Sequence, residues 1–574
     1  MVDIDELVQH LCSKGFNCQK SLIDEFKIVS VKLKIVDKPI ELIHFLRGEI
    51  TGLPTFFLSS PNDYGQLAHV SIDNDSSVDL GSICVNDRDS VSVNFAMPLL
   101  AIEESLNRHI AILTKAITDP KWNRHELLRE FSSNWLGVCD FNSKKILLTS
   151  ASGKLEEVEV LRSLPNYNHG VNSYHLAQSQ DSELSAIASL YWNNNTSKRA
   201  KSGKAIIIPL MDVEPAPLKK EELKSWYLNA LISVKPENRK LLNEQYGRWN
   251  SREYWIIFNV DVPSGKTWFC LHFQAEKKHS LPMTAEQMQY WKIKAIPLRL
   301  FNKENVLPRG GANLDLAYRR VALIGAGSVG GEIAHKLSSA GIENLDIFDK
   351  DYYSIDNLYR HILPEEFLEI PKSYGLGFQL QRQFLWSKAK GISEKLLSLR
   401  NRQKLMSYDL IIIAIGSPTH ERLFKEYLIE NEVDVPVINT WLEGFGIGGH
   451  ATLDIPDSNG CLLCAYVCQE TLARGLNSNL NFIEANQNVT TNLAGCGEQF
   501  ISYGAICSAQ TAIMASDLAI KYLEEKIITS SKVSWKGSDY DANDNSIQLT
   551  HRYHQFSDSL QIKPLYDEDC DACS

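Results

Sequence analysis

The sequence predicts three blocks: an α+β block over residues 1–145, an α/β block over 146–304, and over 305–574 an α/β block with a mainly parallel sheet. Three observations carry this expectation. The chain has 574 residues, which at roughly 150 residues per domain holds three or four domains. A helix–meander–helix pattern occupies the first block. From about residue 305 the pattern changes to strand–helix alternation, as expected of a parallel sheet covered by helices.

In the first block, Asp5 to Lys14 has helical apolar spacing at Leu7, Val8 and Leu11. Phe26 to Leu46 is rich in β-branched residues and alternates like paired strands, and Pro54 to Leu58 and Ala68 to Ile72 supply two shorter strands. Met97 to Ile117 returns to a helical period through Leu100, Ile102, Leu106, Ile110, Leu113 and Ile117. The middle block has strand-like runs at Lys145 to Ser150, Ala205 to Leu210, Tyr254 to Val262 and Trp268 to Phe273, separated by polar stretches without chemistry of their own. In the last block, Arg320 to Ile324, Leu345 to Phe348, Asp409 to Ile415 and Val435 to Asn439 read as strands. Ser328 to Ala340 and Ser508 to Leu523 read as helices.

Composition excludes several classes. With 44% hydrophobic and 22% charged residues the chain is globular, neither disordered nor fibrous. Lys and Arg number 59 against 70 Asp and Glu, a net charge of -11, which argues against a generic nucleic-acid binder. Twelve cysteines over this length are too sparse for a secreted disulfide scaffold. The acidic start, Met1 to Asp5, lacks a basic-then-apolar signal pattern, and no apolar run approaches bilayer length. The expectation is a protein of a reducing cytoplasm with neither nucleic acid nor membrane as partner.

Gly325-Ala326-Gly327-Ser328-Val329-Gly330 follows a strand and opens a helix, so backbone N–H groups and the positive helix end can approach a phosphate. Asp349 lies nineteen residues beyond Gly330, at the end of the next strand, where a carboxylate can accept ribose hydroxyls. Up to this point a dinucleotide site fits equally, and such glycines also serve tight strand–helix packing. Asp351, Asn357 and Arg360 follow at once. A cluster of acid, amide and cation behind the ribose acid suits a nucleoside triphosphate: Arg360 can neutralise phosphate charge and the acids can recruit Mg²⁺.

On these residues, stretch 305–525 resembles the Rossmann-like ThiF/MoeB and ubiquitin-activating (E1) adenylation family. The resemblance implies ATP as cofactor, with Gly325, Gly327 and Gly330 as the phosphate loop and Asp349 as the ribose acid. It matches Asn357 and Arg360 to the family's Asn-Leu-x-Arg. Arg309 matches an Arg that, in homodimeric members, reaches the partner's ATP, which implies a homodimer. The family's ATP-site lysine follows its Arg by about a dozen residues, which selects Lys372, with Lys388 as the fallback. One departure is plain: where the family often has an Asp as Mg²⁺ ligand after the third strand, this chain reads Gly416-Ser417-Pro418, which shifts the burden to Asp351.

The cysteines separate into groups. Cys461-Leu462-Leu463-Cys464 and Cys570-Asp571-Ala572-Cys573 are two C-x-x-C pairs, suited to one structural Zn²⁺ held by four thiolates, with Cys468 as a competing ligand. Cys496, between Gly495 and Gly497, looks like the catalytic-cysteine loop of E1-like proteins in bacterial conjugation systems; a buried loop cysteine is the plainer alternative. Cys507 reads as packed. Cys84 lies in Gly81-Ser82-Ile83-Cys84-Val85, after His69-Val70-Ser71. With the helix, meander and following helix, this resembles a ubiquitin-conjugating (E2) domain, whose His-Pro-Asn precedes Gly-x-Ile-Cys-Leu. The Pro and Asn are Val70 and Ser71 here, so support for the oxyanion falls to Asn86, to Asn74 or to other groups.

The order E2, middle block, E1 resembles the E1/E2 fusion proteins of bacterial CBASS anti-phage systems. The resemblance implies a relay in which a protein C-terminus is adenylated, held as a thioester on Cys496, passed to Cys84 and conjugated to a target lysine. It implies as substrate a cGAS/DncV-like nucleotidyltransferase (or a ubiquitin-like protein), and a middle block that is a degenerate adenylation domain. A sulfur-carrier adenylyltransferase and a nucleotide-binding scaffold without ligase activity are the alternatives.

Overall fold

The computed structural model describes residues 2–23, 25–46, 52–72, 78–85, 94, 96–139, 145–162, 174–179, 203–468, 470–471, 474–492 and 499–573. It divides into two compact units, Met1–Asn302 and Lys303–Ser574. No helix among the described residues is long and apolar enough to cross a membrane.

The first unit opens with α1 (Ile4–Ser13), where the Asp3 carboxylate accepts the amide N–H groups of Asp5 and Glu6 at 2.9 and 3.1 Å and caps the helix. Strands β1 (Asn17–Ile23), β2 (Phe26–Ile35), β3 (Lys38–Phe45), β4 (Phe57–Ser59), β5 (Val70–Ile72) and β6 (Leu80–Ile83) form a sheet in the order β1-β2-β3-β4-β6-β5. Every pairing in it is antiparallel. Helix α2 (Pro98–Thr118) contributes Ile102, Leu106 and Leu113 to one core with Leu7 and Leu11 of α1 and Val29, Val31, Leu42 and Leu58 of the strands. Strand β1 escaped the sequence reading because it is an edge with one buried residue, Cys18, and so has no apolar alternation to detect.

Helices α3 (Pro120–Arg129) and α4 (Phe131–Val138) lead into a second sheet. Its strands are β7 (Lys145–Ser150), β8 (Glu156–Arg162), β9 (Tyr174–Ser179), β10 (Lys204–Pro209), β11 (Ser251–Val262), β12 (Gly265–His279), β13 (Lys292–Ile296) and β14 (Leu298–Leu300). The order is β13-β12-β11-β10-β8-β9-β7-β14, so the first and last strands are chain neighbours parted by Pro297 alone. The sheet therefore curls until its edges meet, which leaves one inner and one outer face. Ile146, Val160, Ile207, Trp255, Ile257 and Cys270 fill the inner face. On the outer face, α4 and α5 (Leu223–Ile232) bring Phe131, Trp135 and Tyr227 against Phe258, Phe269 and Phe273. Among the described residues four of its seven pairings are antiparallel and three parallel, so the expected α/β block has a mixed sheet, in which the parallel pair β10–β11 is connected through α5.

The second unit holds β15 (Arg320–Ile324), α6 (Ser328–Ser339), β16 (Asn344–Phe348), α7 (Lys372–Gln383), β17 (Lys390–Ile392), β18 (Leu410–Ile413), α8 (Pro418–Glu430), β19 (Val437–Leu442) and β20 (Gly448–Asp454). It continues with β21 (Thr490–Asn492), β22 (Gln499–Ile501), α9 (Ala505–Leu523), β23 (Ser531–Lys536) and β24 (Lys563–Pro564). The main sheet runs β17-β16-β15-β18-β19-β20-β23-β24. Pairings from β17 to β19 are parallel and those from β19 to β24 antiparallel, so the expected mainly parallel sheet is a mixed one. The central parallel strand β18, Leu410–Ile413, is apolar and fully buried because cores lie on both faces.

Candidate functional site

The turn between β15 and α6 is shaped by glycine for steric reasons. Gly325 has φ +99°, and a Cβ there would lie 2.5 Å from the Ala414 carbonyl oxygen. A Cβ on Gly330 would lie 1.9 Å from the Gly325 carbonyl oxygen. At Gly327, by contrast, nothing lies within 4 Å of that position, so this side of the loop is open to a ligand. The turn is tied down by Gly325 N–H donating to Phe348 O at 2.8 Å and by Ala326 N–H donating to Asp349 Oδ2 at 2.7 Å.

The other residues singled out in the sequence gather behind this turn. Asp349 Oδ1 accepts the amide of Asp351 at 2.8 Å, so both of its oxygens are oriented by backbone donors. The Asp351 side chain is exposed, and its carbonyl accepts the Lys372 amide at 2.8 Å, which brings the first residue of α7 beside the loop. Asn357 closes a short helical turn: its Oδ1 accepts the Ser354 amide at 3.2 Å and the Ser354 hydroxyl at 3.3 Å. Arg360 lies over the ring of Tyr503 at 5.9 Å, and Tyr503 shares a 2.9 Å hydrogen bond with Ser328 Oγ at the start of α6. The fallback Lys388 is engaged elsewhere, pairing with Glu343 at 3.2 Å. Arg309 is exposed in the short turn Pro308–Gly310. Ser417 starts α8 with its hydroxyl 2.6 Å from His420 Nδ1 and its amide donating to Glu421 Oε1 at 3.1 Å.

Two participants were missed by the sequence reading. Tyr503 is 175 positions from Ser328, a separation that carries no local signal. His361 directly follows Arg360; its Nε2 lies 2.7 Å from the Ala326 carbonyl oxygen, and its Nδ1 accepts the Leu363 amide at 3.1 Å. Burial holds His361 below the ordinary histidine range, with the Lys372 and Arg360 cations acting in the same sense against the Ala326 contact and Asp349. Asp349 thus reaches the turn at Ala326, Arg360 reaches the start of α6 through Tyr503, and Lys372 is tied to Asp351, two residues beyond Asp349. An open loop of N–H donors with two cations and a backbone-oriented carboxylate is suited to a phosphorylated ligand that also carries hydroxyls.

The thiols occupy two settings. Cys461, Cys464, Cys570 and Cys573 place their sulfur atoms within 4.8 Å of one another, with Cys461–Cys570 at 3.9 Å and Cys464–Cys573 at 3.3 Å. Tetrahedral zinc with Zn–S bonds of about 2.3 Å separates its sulfurs by about 3.8 Å, so this donor set fits Zn²⁺. The first knuckle is steadied by Leu462 N–H donating to Asp454 Oδ2 at 3.0 Å, and Asp454 pairs with Lys425 at 2.8 Å. Arg474 bonds both Asp571 and Glu426 at 2.9 Å and ties the last residues to α8. Cys468 is not a member of this set.

Cys84 is exposed at the end of β6. Its amide donates to the His69 carbonyl at 2.8 Å, and His69 holds a left-handed backbone with φ +64°. The His69 imidazole is gripped from α3 and its end, with Nδ1 2.8 Å from Glu130 and Nε2 3.5 Å from Glu126. Gly81 is required because a Cβ there would lie 2.7 Å from Val70 Cγ1. Cys496, and the alternatives Asn74 and Asn86, lie outside the described residues.

Residues 301–563 match the ThiF family. Among curated proteins, the chain is 26% identical over 219 residues to the ATP-dependent ubiquitin transferase-like protein Cap2 of Escherichia coli (strain TW11681), covering 37% of this chain and 36% of that protein. It is 26% identical over 236 residues to the protein of the same name from Vibrio cholerae serotype O1, covering 39% of each. The match thus spans little more than a third of the length of either relative. Among solved structures, Escherichia coli MccB with ATP is 13% identical with a TM-score of 0.31, covering 45% of this chain and 68% of that one.

Proposed function

We propose that the chain is an ATP-dependent, E1-like adenylating enzyme that activates a protein or peptide C-terminus and passes it along its own cysteines to an amine. The observation that carries the reading is the open glycine turn of a ThiF family match, with Asp349 bonded to Ala326, Arg360 set on Tyr503 beside Ser328, and Lys372 tied to Asp351. ATP would lay its phosphates on the N–H groups from Gly327 to Gly330, with Arg360 and Lys372 countering their charge and Asp349 receiving the ribose. Arg309 would reach the nucleotide of a second copy in a homodimer. The exposed Asp351 is the carboxylate available to Mg²⁺, since a serine stands at position 417.

The substrate carboxylate attacks the α-phosphorus of ATP and pyrophosphate leaves. The Cys496 thiolate attacks the resulting acyl-AMP and AMP leaves, conserving the activation as a thioester. Cys84, in an E2-like domain, then takes the acyl group by transthiolation and delivers it to a lysine ε-amine. The exposed thiol after an antiparallel meander, fixed through the His69 carbonyl, supports that role for Cys84. Holding both thiols in one chain raises the effective concentration for the transfer. The relatives named for ubiquitin-transferase-like activity support the same chemistry, with the C-terminus of a cGAS/DncV-like nucleotidyltransferase as the substrate that the CBASS resemblance implies. Zn²⁺ on the four C-terminal cysteines would be structural, because four protein ligands leave no open position.

Intact mass spectrometry after incubation with ATP, Mg²⁺ and that carrier tests the reading. A carrier-sized adduct that thiol reductant removes is expected. A thiocarboxylate on the carrier with no isopeptide product would replace it with the sulfur-carrier reading.

A further inference from the structure

We infer that His361 is a positioning residue of the phosphate loop, holding the Ala326 peptide so that the turn presents its open side to phosphate; this rests on the nucleotide reading above. The geometry assigns the tautomer. Leu363 N–H donates to Nδ1 at 3.1 Å, so that nitrogen carries a lone pair and the proton sits on Nε2, which donates to Ala326 O at 2.7 Å. The opposite end of the same residue is fixed too, because Ala326 N–H donates to Asp349 at 2.7 Å. The residue between Gly325 and Gly327 is thus clamped through its amide by a carboxylate and through its carbonyl by an imidazole. Without the second contact, that carbonyl could turn toward the phosphate path and oppose an anionic ligand.

The surroundings keep this clamp neutral. Burial and the cations Lys372 and Arg360 all disfavour a second proton, against Asp349 and the Ala326 carbonyl, and the Tyr353 ring packs 5.2 Å away. Gly331 lies beside the ring, where a Cβ would sit 3.4 Å from the imidazole, in van der Waals contact. His361 touches no phosphate in this arrangement; it acts through Ala326.

The test is calorimetric titration of the full chain with Mg·ATP and, separately, with adenosine. His361→Ala should weaken Mg·ATP about tenfold, the worth of one hydrogen bond, while adenosine affinity stays within twofold. His361→Gln, which retains a neutral N–H donor of similar reach, should recover ATP affinity to within threefold of wild type. Should His361→Ala fail to fold, His361→Asn, too short to reach Ala326, takes its place. Equal ATP affinity in wild type and His361→Ala, or a His361→Gln as weak as His361→Ala, overturns the inference and leaves the nucleotide reading standing. A wild-type chain that binds no Mg·ATP overturns the nucleotide reading itself.

Discussion

The thiols near the C-terminal end of the second unit and the thiol of Cys84 in the first differ in company. Cys461, Cys464 and Cys570 are buried and, with Cys573, point four sulfurs at one another. Among them Cys464 is drawn below the ordinary thiol range, chiefly by the Cys461 thiol donating to it. Cys84 stands exposed, its backbone fixed and its side chain outward. Burial in a four-sulfur cluster suits a thiol that is never to react, and exposure on a fixed backbone suits one that must meet an acyl donor. Position in the fold, more than local sequence, separates the two uses.

The sharpest way to break this contrast is to remove the outward thiol. Cys84→Ala should abolish conjugate formation, at least a hundredfold, while ATP–pyrophosphate exchange and thermal stability hold. A conjugate still forming would remove Cys84 from the relay. The inward thiols should fail in the opposite sense. Cys570→Ser, or a strong chelator on wild type, should lower Tm by on the order of 10 °C, because a structural metal contributes folding energy. Unchanged melting with no metal found by elemental analysis would leave the cluster as packed thiols.

A third substitution probes the ground beneath the first knuckle. Glu421 is 2% exposed, and burial pushes its carboxyl up to about 7 despite the Ser417 amide. A carboxyl whose folded value is raised contributes fully below its unfolded value near 4.5 and loses that contribution as pH rises through about 7. Glu421→Gln should therefore leave Tm unchanged at pH 4 and raise it by several degrees at pH 8, read by calorimetry at both. The smallest effect is expected from Glu130→Gln, which weakens the grip on the His69 imidazole at one of its two carboxylates. A several-fold slower acylation of Cys84 at unchanged Tm is the outcome that ties this grip to the thiol; acylation at the wild-type rate would make it purely structural.

Much of the second unit was legible. Val321–Ile324 is an uninterrupted buried run, and its sequence says so because a parallel strand covered on both faces has no polar side to show. The Lys372 amide is tied to Asp351 close to the glycine turn, whereas Lys388 answers Glu343 instead. The antiparallel half of that sheet was not legible, because strand direction depends on crossings that residue patterns do not record. The middle segment was opaque for a related reason. Its inner and outer faces are both buried, so Tyr254 to Val260 lacks the alternation that reveals a sheet's sides.

By itself the sequence determined which residue types stand together locally: the glycine turn, the acid after the second strand, the Asn-Leu-x-Arg cluster and the paired cysteines. Each is local, set by steric need or short spacing within one element. Only the tertiary structure decided their company. It joined Cys461 to Cys570 across 109 positions, set Tyr503 on Ser328 across 175, and brought the strands flanking Pro297 to opposite edges of one sheet. Such contacts are selected by the packing of whole elements, and no window of neighbouring residues contains them.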